Sequence, residues 1–200
     1  MQRQLLTGLR MTLVSTVLVG LAYPLAMTGI AQALMKNKAN GSFVSENGKV
    51  VGSALIGQNF TLKNGDPDPR YFQPRPSNAG DGYDATASAG SNFGPSNPDL
   101  LAAVKDRVVA YRTLNGLAPD ASVPVDAVTS SASGLDPDIS VANARLQVER
   151  VARVRSLPEA QVGALVAEHT QGRQLGILGE KAVNVLELNL ALDALPSRSG

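Results

Sequence analysis

The sequence predicts an α+β protein: one N-terminal transmembrane helix followed by a single mixed α/β extramembrane domain. Three observations carry this. No charged residue falls between Arg10 and Lys36, which leaves a 25-residue uncharged run from Met11 to Met35. Hairpin and helix-start signals then follow one another along the rest of the chain. With 200 residues, 44% hydrophobic and 18% charged, there is room for one folded unit of ordinary size plus one extra element.

The uncharged run comes first. A helix rises about 1.5 Å per residue and a bilayer core is about 30 Å thick, so about 20 apolar residues suffice to cross it. Pro24, in the middle of the run, predicts a kink. Arg3 and Arg10 before the run and the small-x-small string Ala31-Gln32-Ala33 also fit a signal peptide, but its apolar core would be about 7 to 15 residues, so an anchor is the better reading. Gly20, Ala22 and Ala26 offer a small-residue face for partner helices. Charge does not orient the span, because Arg3 and Arg10 on one flank are matched by Lys36 and Lys38 on the other. The division expected is a short tail at 1–10, a transmembrane helix at 11–35 and a soluble domain at 36–200 lying on one side of the membrane.

Within that domain, Asn47-Gly48 between two β-prone stretches predicts a hairpin over Ser42 to Gln58. Prolines 67, 69, 74 and 76 forbid regular structure over Asn64 to Tyr83, which reads as an extended loop. Asn97 as cap, Pro98 at the first helical position and Gly116 after Asn115 bound a helix. Val123 to Ser140 opens like a strand and closes on an Asp136-Pro137 turn. Ser140 caps a further helix with Val141, Ala144, Val148, Val151 and Val154 on one stripe; Arg145, Glu149, Arg150, Arg153 and Arg155 on the rest make a basic face. Ser156-Leu157-Pro158-Glu159 has capping-box spacing and predicts a helix running to near Gly172. Ala182 to Leu195 fits both a helix and, in part, an alternating strand; helix is the preferred reading.

Chemistry is scarce. The chain has no cysteine and a net charge of +1, which excludes thiol chemistry and disulfides and argues against nucleic acid as a partner. No P-loop, no Asp-Lys-Thr-Gly-Thr phosphorylation string and no potassium selectivity filter occurs. His169 is the only histidine, so a serine triad would have to use it, for instance with Ser133. The acidic pairs Asp66/Asp68, Asp81/Asp84 and Asp136/Asp138 sit among Pro and Gly and read as turns. Two small-residue runs, Ser88 to Pro98 and Thr129 to Ser140, could form an anion-binding nest or admit another chain's backbone.

Several ordered motifs together resemble a known family. They are Ala22-Tyr23-Pro24-Leu25, the run Gly52 to Phe60, Tyr71-Phe72 with Arg75-Pro76-Ser77, Gly90-Ser91-Asn92 with Ser96-Asn97-Pro98, Ser131 to Asp136, and Val185 to Asp193. In this order they look like the C subunit of the bacterial Kdp potassium-transporting ATPase. The resemblance implies a non-catalytic subunit of an inner-membrane, ATP-driven potassium uptake complex. Its implied partners are a channel-like potassium-binding subunit, a P-type ATP-hydrolysing subunit and a small single-span subunit, with membrane lipid around the helix. It also implies a catalytic chaperone that raises the ATP affinity of the hydrolysing subunit, with Gln147, Ser133 and Gly134 as the nucleotide-contacting residues. A periplasmic position for the domain, which the resemblance implies as well, conflicts with contact to cytoplasmic ATP. The alternative is a periplasmic cap that braces the potassium entrance without touching nucleotide, where Asp81 and Asp84 would enrich cations.

Overall fold

The uncharged run is helical, and the helix is longer than the run. In a computed structural model that describes residues 1–195, α1 (Gln2–Ser15), a π-helical segment (Thr16–Ala22) and α2 (Tyr23–Leu34) follow one another without a break. Together they form a 33-residue helix long and apolar enough to cross a membrane, with none of its most apolar window buried. Pro24 has no amide hydrogen and its ring crowds the carbonyl four residues earlier, at Gly20. At this place the backbone widens into the π segment, where the Tyr23 amide donates to the Leu18 carbonyl. Met35 leaves the helix at φ −139°, and the short α3 (Lys36–Ala39) follows. A reciprocal pair of amide hydrogen bonds, 3.0 and 3.1 Å, joins Gln32 to Asn40.

The chain divides into two units, one from Met1 to Phe43 and the other beginning at Val44. The expected hairpin is present as β1 (Phe43–Glu46) and β2 (Lys49–Ser53). Asn47 and Gly48 turn it with φ of 50° and 78°, the left-handed pair that matches the twist of two antiparallel strands. From Ala54 to Asn97 no helix or strand forms apart from an isolated Thr61–Pro67 bridge. Helix α4 (Pro98–Asn115) begins and ends where its signals place it: the Asn97 side chain accepts from the amides of Asp99 and Leu100, and Gly116 closes the helix at φ 66°.

The second half departs from the sequence reading in four places. The strand expected after Val123 is a 3-10 turn, Val125–Ala127, and it aims the Asp126 carboxylate at the Ser140 amide and hydroxyl, each at 2.8 Å. Strand β3 (Asp138–Ser140) comes later and leads directly into α5 (Val141–Arg155). Ser156 is no helix start. It sits left-handed at φ 54° as the C-cap of α5, so the capping box cannot form, and Pro158 stands at the N-cap of α6 (Glu159–Glu168). That helix stops short of Gly172 because Thr170–Gln171 pairs as β4. Finally, Ala182–Asn184 is β5 before α7 (Val185–Asp193) begins on the Asn184 cap, so the two periodicities seen at 182–195 occur in succession.

The three strands form an antiparallel sheet in the order β3-β5-β4, with Ile139 opposite Val183 and Thr170 opposite Val183. One buried cluster joins Ile139 and Val183 of the sheet to Val148 and Val151 of α5, Val162 and Val166 of α6, and Leu188 and Leu192 of α7. Phe72, from the segment without regular structure, completes it. A smaller cluster of Tyr111, Ala127 and Val128 lies along α4.

The two small-residue runs are accounted for by each other. The Ala89 amide and the Ser88 hydroxyl both donate to the Ser133 carbonyl, at 3.0 and 2.9 Å, and the Ser77 hydroxyl donates to that of Gly134 at 2.7 Å. At Gly134 a Cβ would lie 2.6 Å from the Ala89 carbonyl oxygen, and φ is 67°. Gly134→Ala is therefore expected to destabilise the fold by roughly 2–4 kcal/mol. By contrast, Gly163→Ala, in open space within α6, is expected to stabilise it by about 0.5–1 kcal/mol. Thermal unfolding of the full chain in detergent checks both signs.

Candidate functional site

Tyr71, Phe72 and Gln73 run extended between prolines, where no neighbouring strand pairs with them. Two side-chain amides supply the missing ladder. The Phe72 amide donates to Asn189 Oδ1 and Asn189 Nδ2 donates back to the Phe72 carbonyl, both at 2.9 Å. The Gln73 amide donates to Gln147 Oε1 at 2.7 Å, and Gln147 Nε2 donates to the Gln73 carbonyl at 3.1 Å. Each carboxamide has one donor face and one acceptor, the complement of a single residue's backbone.

Arg150 completes the clamp. The helix pattern places it on a basic outer face, but its side chain points inward and it is 1% exposed. Its Nε donates to Asn115 Oδ1 at 2.9 Å, Nη1 to the carbonyls of Pro69 and Tyr71, and Nη2 to Gln147 Oε1 at 2.7 Å. Burial lowers its pKa, to about 10, so at neutral pH it is a cation solvated by protein dipoles. Tyr111 lies beside it, its hydroxyl donating to Asn143 Oδ1 at 2.8 Å. Burial raises the pKa of Tyr111, and also that of Tyr83, whose hydroxyl donates to the Arg75 carbonyl at 2.9 Å.

With Arg150 inside, the basic face of α5 shrinks. Arg155 sits over the Tyr71 ring at 4.6 Å and donates to Asp193 Oδ1 at 2.7 Å. Arg145 and Arg153 remain outside, with Glu149 between them. Val154, placed on the apolar stripe by its spacing, is exposed as well.

The residues proposed for nucleotide contact fall in separate networks. Gln147 is 0% exposed; besides Gln73 and Arg150, its Nε2 donates to Asn143 Oδ1 at 2.9 Å. Ser133 and Gly134 belong to the close-fitting loop pair, where the Leu135 amide donates to Ser133 Oγ at 3.1 Å and Gly134 abuts backbone. The Gln147 Nε2 donates to the Gln73 carbonyl and Asn143 Oδ1, and the Gly134 amide to the Ser131 carbonyl, so these donors are already engaged by protein. His169 ends α6, its Nδ1 3.0 Å from the Leu165 carbonyl, and among the described residues no serine is hydrogen-bonded to it. Asp68 is buried and gripped by Arg70, whose Nη2 donates at 2.6 Å; that hydrogen bond is the largest cause holding its carboxyl below the usual range. Asp84 Oδ1 accepts from the Thr86 amide and hydroxyl at 2.8 and 2.7 Å. Both are turn carboxylates. Among the described residues no group of three His, Cys, Asp or Glu side chains could hold a metal ion.

Sequence reasoning missed the clamp. The available signal was polar residues at 143, 147 and 150 recurring at helical spacing, which is the face of α5 the apolar stripe shares. Beside it lies a groove of about 580 Å³ whose walls include Pro67, Pro74, Arg75, Pro76, Arg107 and Tyr111.

Comparison with known proteins assigns the family. The family model described as K+-transporting ATPase, c chain, matches residues 5–194. The potassium-transporting ATPase KdpC subunit of Mycobacterium tuberculosis strain H37Rv is 58% identical over 195 residues, 98% of this chain and 100% of that protein. Its counterpart in Koribacter versatilis is 53% identical over 196 residues, 96% and 95% of the two chains. That of Caulobacter vibrioides is 55% identical over 195 residues, covering 95% and 94%. The chain belongs to this family and is an accessory, non-catalytic subunit of the potassium-transporting ATPase.

Two outcomes follow from the clamp. Arg150→Met removes the donors of four acceptor groups at once and is expected to lower stability by about 3–5 kcal/mol. Arg150→Lys should recover little, since an ammonium cannot fork across them. Urea denaturation measures both. Phenol pKa values raised above 10.0 by burial mean that at alkaline pH the folded chain holds more protons on these groups than the unfolded one. Their stabilisation is complete below about pH 10 and is lost as pH rises further. Arg150, shifted down, acts in the opposite sense. Tyr111→Phe leaves Arg150 in place and is expected to flatten the alkaline fall in stability by up to about 1.4 kcal/mol per pH unit, read from denaturation midpoints between about pH 9 and 11.5.

Proposed function

We propose that this chain serves the ATP-driven potassium uptake complex as a single-pass subunit of the inner membrane, its domain on the periplasmic side. There it stabilises the assembly and braces the potassium entrance by contact. Its partners are the channel-like potassium-binding subunit, the P-type ATP-hydrolysing subunit and the small single-span subunit. The observation that carries this reading is the Gln2–Leu34 helix, long and apolar enough to cross a membrane and with none of its most apolar stretch buried. It costs free energy in water and needs lipid or partner helices to cover it.

The same reading assigns any gain in ATP affinity of the hydrolysing subunit to subunit contacts. Support comes from Gln147, whose carboxamide is committed to Gln73, Asn143 and Arg150. A nucleotide-binding role would require opening that clamp. Ser133 and Gly134 act on this view as the closure between two loops.

The absence of cysteine permits a direct test of placement. Asp81→Cys, on an exposed turn, is expected to react with a membrane-impermeant maleimide added to intact spheroplasts. Labelling only after lysis would place the domain in the cytoplasm and restore shared nucleotide contact. The full chain alone should show no ATP hydrolysis above background and no saturable binding of ATP by calorimetry.

A further inference from the structure

Between β4 and β5 the chain makes an excursion, residues 172–181, in which every residue is exposed. Its tip is apolar, with Leu175 88%, Ile177 77% and Leu178 54% exposed. Polar turn residues would be the ordinary choice there. The tip is nevertheless held in one shape. Gln174 and Leu178 exchange two backbone hydrogen bonds of 2.9 Å, and Arg173 Nη2 grips both carboxylate oxygens of Glu180 at 2.9 and 2.8 Å. Leu175 itself is left-handed, φ 53°, a conformation unfavourable for a side chain of its size and usually left to Gly or Asn.

Three features narrow the occupant. Three side chains cover only a small part of the ~1,600 Å² typical of an interface that holds two free proteins together. A second copy of this chain, or any partner arriving from solution, would not be retained by the tip alone. The occupant must be kept beside the chain by something else, and the membrane-spanning helix of a multi-subunit transporter does that, raising the effective concentration of a neighbouring subunit. Lipid is also within reach of an anchored chain. It imposes no shape, however, so a strained and cross-braced turn gains nothing there, and the tip lacks the Trp or Tyr that mark membrane interfaces. A preformed apolar knob suits a shaped recess.

We propose that the Leu175–Leu178 tip is a docking knob that inserts into an apolar recess of another subunit of the potassium-transporting complex. This rests on the chain being a subunit of that complex. Leu175→Ser combined with Ile177→Ser is expected to leave the melting temperature of the full chain within about 3 °C, since both side chains are largely exposed. Retention of the double variant in the detergent-solubilised complex should fall roughly fivefold to tenfold on dilution. Ile177→Cys carrying a nitroxide gives an independent reading. In the full chain alone, in nanodiscs of phosphatidylethanolamine and phosphatidylglycerol, it should collide freely with a water-soluble nickel chelate. In the assembled complex it should be shielded from both the chelate and oxygen. High oxygen access with low nickel access in the chain alone would show insertion into lipid and overturn the proposal. Free nickel access in the assembled complex, or undiminished retention of the double variant, would overturn it equally. If the wild-type chain does not co-purify with the other subunits at all, the subunit reading fails first.

Discussion

The domain depends on side-chain amides standing in for a strand. From Ala54 to Asn97 the chain crosses the protein with almost no regular structure, yet Phe72 is part of the core and its backbone is buried with it. Buried peptide groups must be paired. Pro69, Pro74 and Pro76 interrupt any ladder this segment could join, so the pairing comes from Asn189 on α7 and Gln147 on α5, each bonded to one residue's N–H and C=O. Helices and loop thereby become one body.

Arg150 shows why this arrangement is stiff. Among the described residues no carboxylate touches it; its charge is stabilised by carbonyl and carboxamide oxygens, with Asp68 contributing only at a distance. The planar fork reaches Asn115 on α4, the loop carbonyls and Gln147 together, a geometry beyond a lysine. Burying an arginine is unfavourable until each acceptor is in place, so the partly assembled clamp is disfavoured and the complete one is cooperative. The same completeness bears on the proposed role, because the donors and acceptors of the clamp are committed to one another and contact of Gln147 with nucleotide would require opening it.

What could be read from the sequence was local. Asn47-Gly48 fixed its hairpin, and Asn97, Pro98 and Gly116 fixed both ends of α4, because these residues act on their own backbone whatever surrounds them. The overall class and the long apolar helix were legible for a similar reason. Arg150 was not, since a helical pattern records spacing and not which distant carbonyls await a guanidinium. Ser156 was read as a beginning because its hydroxyl and Glu159 have the right separation; the ending of α5 claimed it first. At 182–195 the alternating and helical periods are both present, and only pairing with β3 and β4 decides where one gives way to the other. The small-residue runs around Ser88 and Ser133 looked available to a ligand because composition cannot show that each is filled by the other.

Action by contact, the role proposed for this chain, requires a fixed position and a surface that does not yield. The apolar helix answers the first requirement: restricted to the membrane, the chain meets the same neighbours continuously, so contacts too small to hold free proteins become sufficient. The clamp answers the second, because a loop held by diffuse apolar contact alone would slide, whereas one held by directed hydrogen bonds at Phe72 and Gln73 has a single register. Side chains with unspent binding capacity are then those that face outward. Scattered ones such as Leu101 and Val109 are ordinary surface, but an apolar cluster on a braced turn is not, and it is at such places that an accessory subunit differs from a merely soluble fold.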